Sequence, residues 1–254
     1  MRLILFFLSL CVGAAISSEP NKKDLFHKSL LPTVQIISKS KEMSGSGVVY
    51  KSIKISPNNF INYVISCQHV ISPRMVINTF YYKDENYLEK QLSHGCCLVD
   101  EDKQNDLSIV AFLSTEKIPE VTLGTAHTLK LFDSVYSVGC GMEEYPRFTE
   151  GKINGLPLSQ GTLQDIRTNV PIVPGDSGCA LFDKQNKMVG IANSIRKLNY
   201  KGMSYPIEGI STFKPVDFVF DRFKENTYDL FEENRKQPEI FLDFIWLLDT
   251  EYGY

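Results

Sequence analysis

An all-β fold, two antiparallel barrels followed by a C-terminal helical tail, is what this sequence predicts, on three observations. Short runs rich in β-branched and aromatic residues recur along most of the chain, divided by turn residues at the spacing a barrel requires. These runs fall into two sets separated by a connection over residues 114–129. After Pro215 the pattern changes to apolar residues at mixed helical spacing between charges. With 254 residues, 43% of them hydrophobic and 22% charged, the chain can bury one large β domain or two small ones, and composition argues against disorder.

The elements follow in order. Met1-Arg2, an apolar stretch from Leu3 to Val12 and the small residues Gly13-Ala14-Ala15 have the layout of a secretory signal peptide over 1–17. That stretch is short for a membrane span, so the expectation is export with no stable span after cleavage. Cys11 invites a lipid anchor, but Leu10 before it is larger than a lipid-attachment site accepts. Residues 18–33 are polar and read as a leader with one short helix. The first barrel, 34–115, takes the runs 34–37, 47–50, 63–66, 75–81 and 107–113. The second, 130–215, takes 134–139, 147–153, 161–169, 178–182, 188–194 and 208–213. In the extension, 216–254, Val216, Phe218, Val219, Phe220 and Phe223 suit an amphipathic helix closing the second barrel. Beyond it, acids alternate with Phe231, Phe241, Phe244, Trp246 and Tyr252, which read as a helix packed on the barrel or as an oligomer contact.

Composition narrows the function classes. Net charge is −3 with no basic stripe, which argues against a nucleic-acid partner. Beyond Cys11 there are five cysteines, Cys67, Cys96, Cys97, Cys140 and Cys179, so an odd one is free or paired between chains. Cys67 and Cys179 read as small core hydrophobes, and a bridge from Cys67 or Cys140 to Cys179 stays open. Neither cysteines nor histidines have the spacing of a metal site, and no cofactor is called for. Gly45-Ser46-Gly47 lacks the following Lys-Ser/Thr of a phosphate loop and reads as a turn into the first barrel.

Three segments carry chemistry. Gly175-Asp176-Ser177-Gly178 puts a hydroxyl between glycines, where a turn can aim the amides of Gly175 and Ser177 at a developing oxyanion. His69 follows the apolar run Tyr63-Val64-Ile65, which delivers an imidazole to a rim as general base. His27, His94 and His127 lack such a setting. Asp106 heads the apolar run Leu107-Ser108-Ile109-Val110, where a carboxylate needs a donor, and an imidazole N–H is one. The order His, Asp, Ser is one of three chain orders in which this arrangement occurs.

Gly45-Ser46-Gly47-Val48-Val49, Ser66-Cys67-Gln68-His69-Val70, Asn105-Asp106-Leu107-Ser108-Ile109-Val110, and Thr168-Asn169 through Pro174-Gly175-Asp176-Ser177-Gly178 together resemble the HtrA-type branch of the trypsin-like serine proteases. The resemblance covers 34–215 and implies two six-stranded barrels of the chymotrypsin type with the site in the cleft between them. It implies His69, Asp106 and Ser177 as catalytic residues, Gly175 and Ser177 as the oxyanion hole, a polypeptide substrate, and no metal or organic cofactor. By the same resemblance the substrate side-chain pocket lies at Pro171, Ala192, Asn193 and Ser194. An acid at 171 would favour lysine or arginine, and a histidine at 192 would favour acidic residues. Neither is there, so the expected preference is a small to medium apolar side chain. HtrA-type chains carry Asn where Asp176 stands, and the digestive branch uses that Asp to bind a newly freed N-terminal amine. No basic residue marks a cut before Val34, so no activating cleavage is expected and Asp176 should be satisfied by local donors. The residues after 215 are too few for the PDZ domain that many HtrA-type proteases carry. A silent module of the same fold that binds a protein partner is the rival reading.

Overall fold

Each barrel forms because its strands carry one apolar face and closure leaves no unpaired edge. The computed structural model describes residues 22–38, 43–83, 87–200 and 203–219. The first six strands are β1 (Thr33–Ser38), β2 (Met43–Ser56), β3 (Asn59–Ser66), β4 (Met75–Lys83), β5 (Tyr87–Asp102) and β6 (Leu107–Ser114). They close as β1-β2-β3-β6-β5-β4 with every pairing antiparallel. The next nine are β7 (Thr122–Leu123), β8 (Ser134–Gly139), β9 (Arg147–Gly155), β10 (Leu158–Ser159), β11 (Thr162–Leu163), β12 (Ile166–Thr168), β13 (Ala180–Asp183), β14 (Lys187–Tyr200) and β15 (Met203–Pro215). Here β13-β8-β9-β12-β15-β14 run in sequence and the β13–β14 pairing completes the second ring. Two closed six-stranded barrels, as expected, are the result. The two-residue β7 adds in parallel to β14, and β10 with β11 makes a separate hairpin.

One apolar cluster runs across both barrels, joining Val34, Ile65, Val70, Leu107 and Phe112 to Val138, Ala180, Phe182 and Ile191. A second, with Ile153, Ile166, Leu181, Val189 and Phe213, fills the second barrel. Because the shared cluster continues through the barrel contact, β3 is buried on both faces along most of its length. That shared packing fixes the relative position of the two strand ends from which the site is built.

The strands differ from the sequence expectation in length and in one omission. β5 has no counterpart among the expected runs: its first half, including Glu89 and Lys90, is exposed and polar, so no alternation marks it. Cys96 and Cys97 in its second half turn inward. β2 runs for 14 residues because bulges between Val49 and Lys51 and between Lys54 and Ser56 let one strand bend around the barrel. Residues 45–47 therefore lie inside β2 and do not form the expected turn.

Leader and tail begin as helical turns. Lys22–Leu25 and Phe26–Leu30 are helical, with Leu25 and Leu30 against the shared core and Ser29 buried. After β15, Val216 and Val219 enter the same core, and the Asp217 carboxylate accepts from Ala126 N at 2.8 Å. The signal segment 1–17 and the remainder of the extension, 220–254, lie outside the described residues. No helix among the described residues is long and apolar enough to cross a membrane. All five cysteines after Cys11 are buried free thiols.

Candidate active site

β3 and β6 pair through Ser66 and Ser108, so the segment leaving β3 and the segment entering β6 emerge at one end of the first barrel. His69 lies in the tight turn Gln68–Val70 just past β3, with its Val70 neighbour buried as an anchor. Asp106 is the residue before β6 and takes a left-handed backbone, φ 56°, a conformation Asp tolerates better than most side chains. That turn aims both carboxylate oxygens at His69. Oδ1 accepts the His69 backbone N–H at 2.9 Å and Oδ2 lies 2.7 Å from Nδ1, while Gln68 N donates to the Asp106 carbonyl at 3.1 Å. With Nδ1 donating to the carboxylate, the ring nitrogen available as a base is Nε2.

The turn over 175–178 hangs from the second barrel but is latched to the first. Ser177 O accepts Ser46 N at 2.7 Å, and Ser46 Oγ donates to Gly175 O and accepts Cys140 N, each at 2.8 Å. Gly178 N donates to Ala192 O at 2.8 Å. Gly178 has φ 89°, and a Cβ there would fall 2.1 Å from Ser46 O and 2.3 Å from Ser66 Oγ. Only glycine lets the turn reach Ser46 inside β2 and Ser66 at the end of β3, three residues before His69. Gly175, φ 94°, leaves its own N–H and that of Ser177 without a hydrogen-bond acceptor among the described residues. Amide donors without an internal acceptor beside a hydroxyl are what a developing oxyanion requires. Ser177 Oγ makes no hydrogen bond among the described residues, and contacts of this kind tighten when substrate arrives.

The four expected pocket residues have separate placements. Pro171 and Ser194 are exposed. Ala192 is buried in the second core and its carbonyl accepts Gly178 N and, at 2.9 Å, the Cys67 thiol. The Asn193 side chain, from β14 of the second barrel, donates to Asp106 Oδ2 and so helps fix that carboxylate. Sequence reasoning placed Asn193 on a pocket wall; its target lies 87 residues away, and no local pattern marks it. Ser46 was missed as the latch because it sits mid-strand.

Cys67 Sγ, a His69 ring nitrogen and an Asp106 oxygen lie within 4.8 Å of one another. They do not make a good metal site. Burial pushes the Cys67 thiol well above its ordinary pKa, the thiol already donates to Ala192 O, and the carboxylate already takes N–H contacts from His69 and Asn193.

Comparison with known proteins gives consistent matches. The model of the trypsin-like peptidase domain matches residues 45–191. The Staphylococcus epidermidis (strain RP62A) protein named "Serine protease HtrA-like" is 26% identical over 178 residues, covering 64% of this chain and 28% of that protein. The Pseudomonas savastanoi pv. phaseolicola protein named "Probable periplasmic serine endoprotease DegP-like" is 28% identical over 185 residues, covering 70% of this chain and 33% of that one. The chain thus spans about a third or less of the length of these relatives. Among solved structures, that described as "Crystal structure of Deg5" aligns with a TM-score of 0.59 at 22% identity, over 78% of this chain and 90% of the other, a likeness of fold.

Proposed function

The chain belongs to the trypsin-like peptidase domain family, and on that premise we propose that it is an exported serine endopeptidase working through an acyl-enzyme. Ser177 attacks the peptide carbonyl while His69 Nε2 takes its proton and returns it to the leaving amine. Asp106 holds the ring in the required tautomer and stabilises the imidazolium that forms, and Asn193 holds Asp106. The amides of Gly175 and Ser177 receive the oxyanion. The observation that carries this reading is the 2.7 Å contact between His69 and Asp106, at the end of the barrel to which the Ser177 turn is latched.

The substrate is a polypeptide cut after a small to medium apolar residue, since exposed Pro171 offers no counter-charge and Ser194 little bulk. The catalytic unit is 34–215, the first 17 residues are an export signal, and the extension 216–254 begins by packing on the core and is available beyond that for self-association. Relatives named as periplasmic endoproteases agree with export.

Ser177→Ala tests the reading. The wild-type chain is expected to take a fluorophosphonate label and to cleave casein, with both lost in the variant. A folded wild-type chain that takes no label would favour the silent binding module instead.

A further inference from the structure

Asp176 lies between the two amides assigned to the oxyanion, and it is only 3% exposed. A carboxylate taken so far from water requires a cation or several donors. Its backbone is held on both sides, Asp176 N donating to Val173 O at 3.0 Å and Cys179 N donating to Asp176 O at 2.9 Å. Its side chain supplies a third point of attachment. Val173 N donates to Oδ2 at 2.8 Å and the Gly141 backbone donates as well. The Arg147 guanidinium, from the first residue of β9, makes a charged hydrogen bond to the same Oδ2. Local donors therefore satisfy Asp176 only in part, and its counter-charge comes from 29 residues upstream.

The connection from β8 to β9 is moulded around this pair. A Cβ on Gly141 would fall 2.7 Å from Asp176 Oδ1 and 2.9 Å from Arg147 Nη2, and one on Gly139 would also fall 2.7 Å from Oδ1. Val34, the nearest match to the new terminus of the digestive branch, is buried within β1 opposite Gly47. We propose that Arg147 is a positioning residue: its ion pair with buried Asp176 holds the 175–177 turn with both amides facing the cleft, doing internally what an inserted terminal amine does elsewhere. The inference rests on that turn being the oxyanion turn proposed above. Releasing the Asp176 side chain to water would let the backbone that carries it shift, moving the Ser177 N–H on the next peptide directly and the Gly175 N–H, one peptide further back, with the turn.

The test pairs Arg147→Gln with Arg147→Lys and with the double variant Arg147→Gln/Asp176→Asn, each read for kcat and KM on a peptide substrate. The single Gln variant should lose about 100-fold in kcat with KM changed by no more than about threefold, the size expected for a misplaced oxyanion donor. Arg147→Lys should recover part of it. The double variant should recover at least about 10-fold over Arg147→Gln, because a buried amide needs no cation. A single variant within about twofold of wild type, or a double variant no faster than the single, overturns the proposal. Amide exchange in a Ser177→Ala background separates this from failure of the protease reading. Arg147→Gln should speed exchange at Asp176, Gly178 and Cys179 by about 10-fold, and Asp176→Asn should reverse it. Unchanged exchange sinks the Arg147 role, whereas coupled exchange in that background, together with a wild-type chain that takes no fluorophosphonate, sinks only the activity.

Discussion

The proposed acid–base half of the site and the proposed nucleophile half are fastened by different means. On the first barrel, Asp106 meets its partners through side-chain contacts: the His69 N–H, the His69 ring and the Asn193 amide converge on one carboxylate. On the second barrel, the Ser177 turn is held chiefly by backbone bonds to Ser46, Ala192 and Val173, with one ion pair between buried Asp176 and partly exposed Arg147. The first half depends on charge and orientation and the second on shape. Substitutions in the first should therefore cost rate with little change in stability, and substitutions in the second should cost both.

The largest effect is expected at the acid. Asp106→Asn keeps the size of the side chain but can present an N–H to Nδ1, which selects the wrong ring tautomer, and kcat should fall by about four orders of magnitude. Thermal unfolding should move less than in the turn, since the His69 backbone N–H keeps its oxygen and the Asn193 amide, which shares Oδ2 with the ring, is the one other donor displaced. A loss of less than about 10-fold in steady-state turnover would remove His69 and Asp106 from the mechanism, and with them one side of the contrast.

The turn should answer to shape instead. In Gly178→Ala the new methyl has to displace Ser46 O and Ser66 Oγ, both fixed by the first barrel, from a backbone conformation already unfavourable to alanine. The expected cost is about 3 kcal/mol of stability, seen as a melting temperature about 10 °C lower, together with loss of activity. An unchanged melting temperature would mean that the latch between the barrels yields easily and that the nucleophile half is softer than its contacts suggest.

How much of this could be read from the chain depends on how far each function reaches. His69 and Asp106 were legible because each sits at a junction between an apolar strand and a polar turn, where a titratable residue stands out. The Gly175 to Gly178 turn was legible because its backbone demands glycines. Both barrels followed from strand runs, yet β5 was invisible because half of it faces solvent and carries no alternation. Asn193 and Arg147 were out of reach for another reason. Each acts on a group 87 or 29 residues away, and neither has a local requirement that a pattern could reveal. The long-range parts of the site are the ones that only the closed barrels bring together.

The smallest effect bears on whether the pair of buried Asp176 with Arg147 stabilises the fold or only positions the turn. Burial raises the Asp176 pKa above its ordinary 3.8, against the opposing pull of Val173 N and Arg147. Above the raised value the group is ionised in both folded and unfolded chains, and the folded state carries the full desolvation cost. Below 3.8 it is protonated in both and the cost is gone, so stability is regained as pH falls through the window between the two values. Other carboxylates titrate over the same range, so the informative quantity is wild type minus Asp176→Asn, taken from denaturant unfolding at neutral pH and near the bottom of the window. The difference should shift in favour of wild type on acidification. A shift the other way would mean that the guanidinium outweighs burial and the folded pKa is depressed, making the pair a net stabiliser. In that case the nucleophile half would depend on charge as the acid half does, and the contrast between the two barrels would narrow to the reach of their contacts.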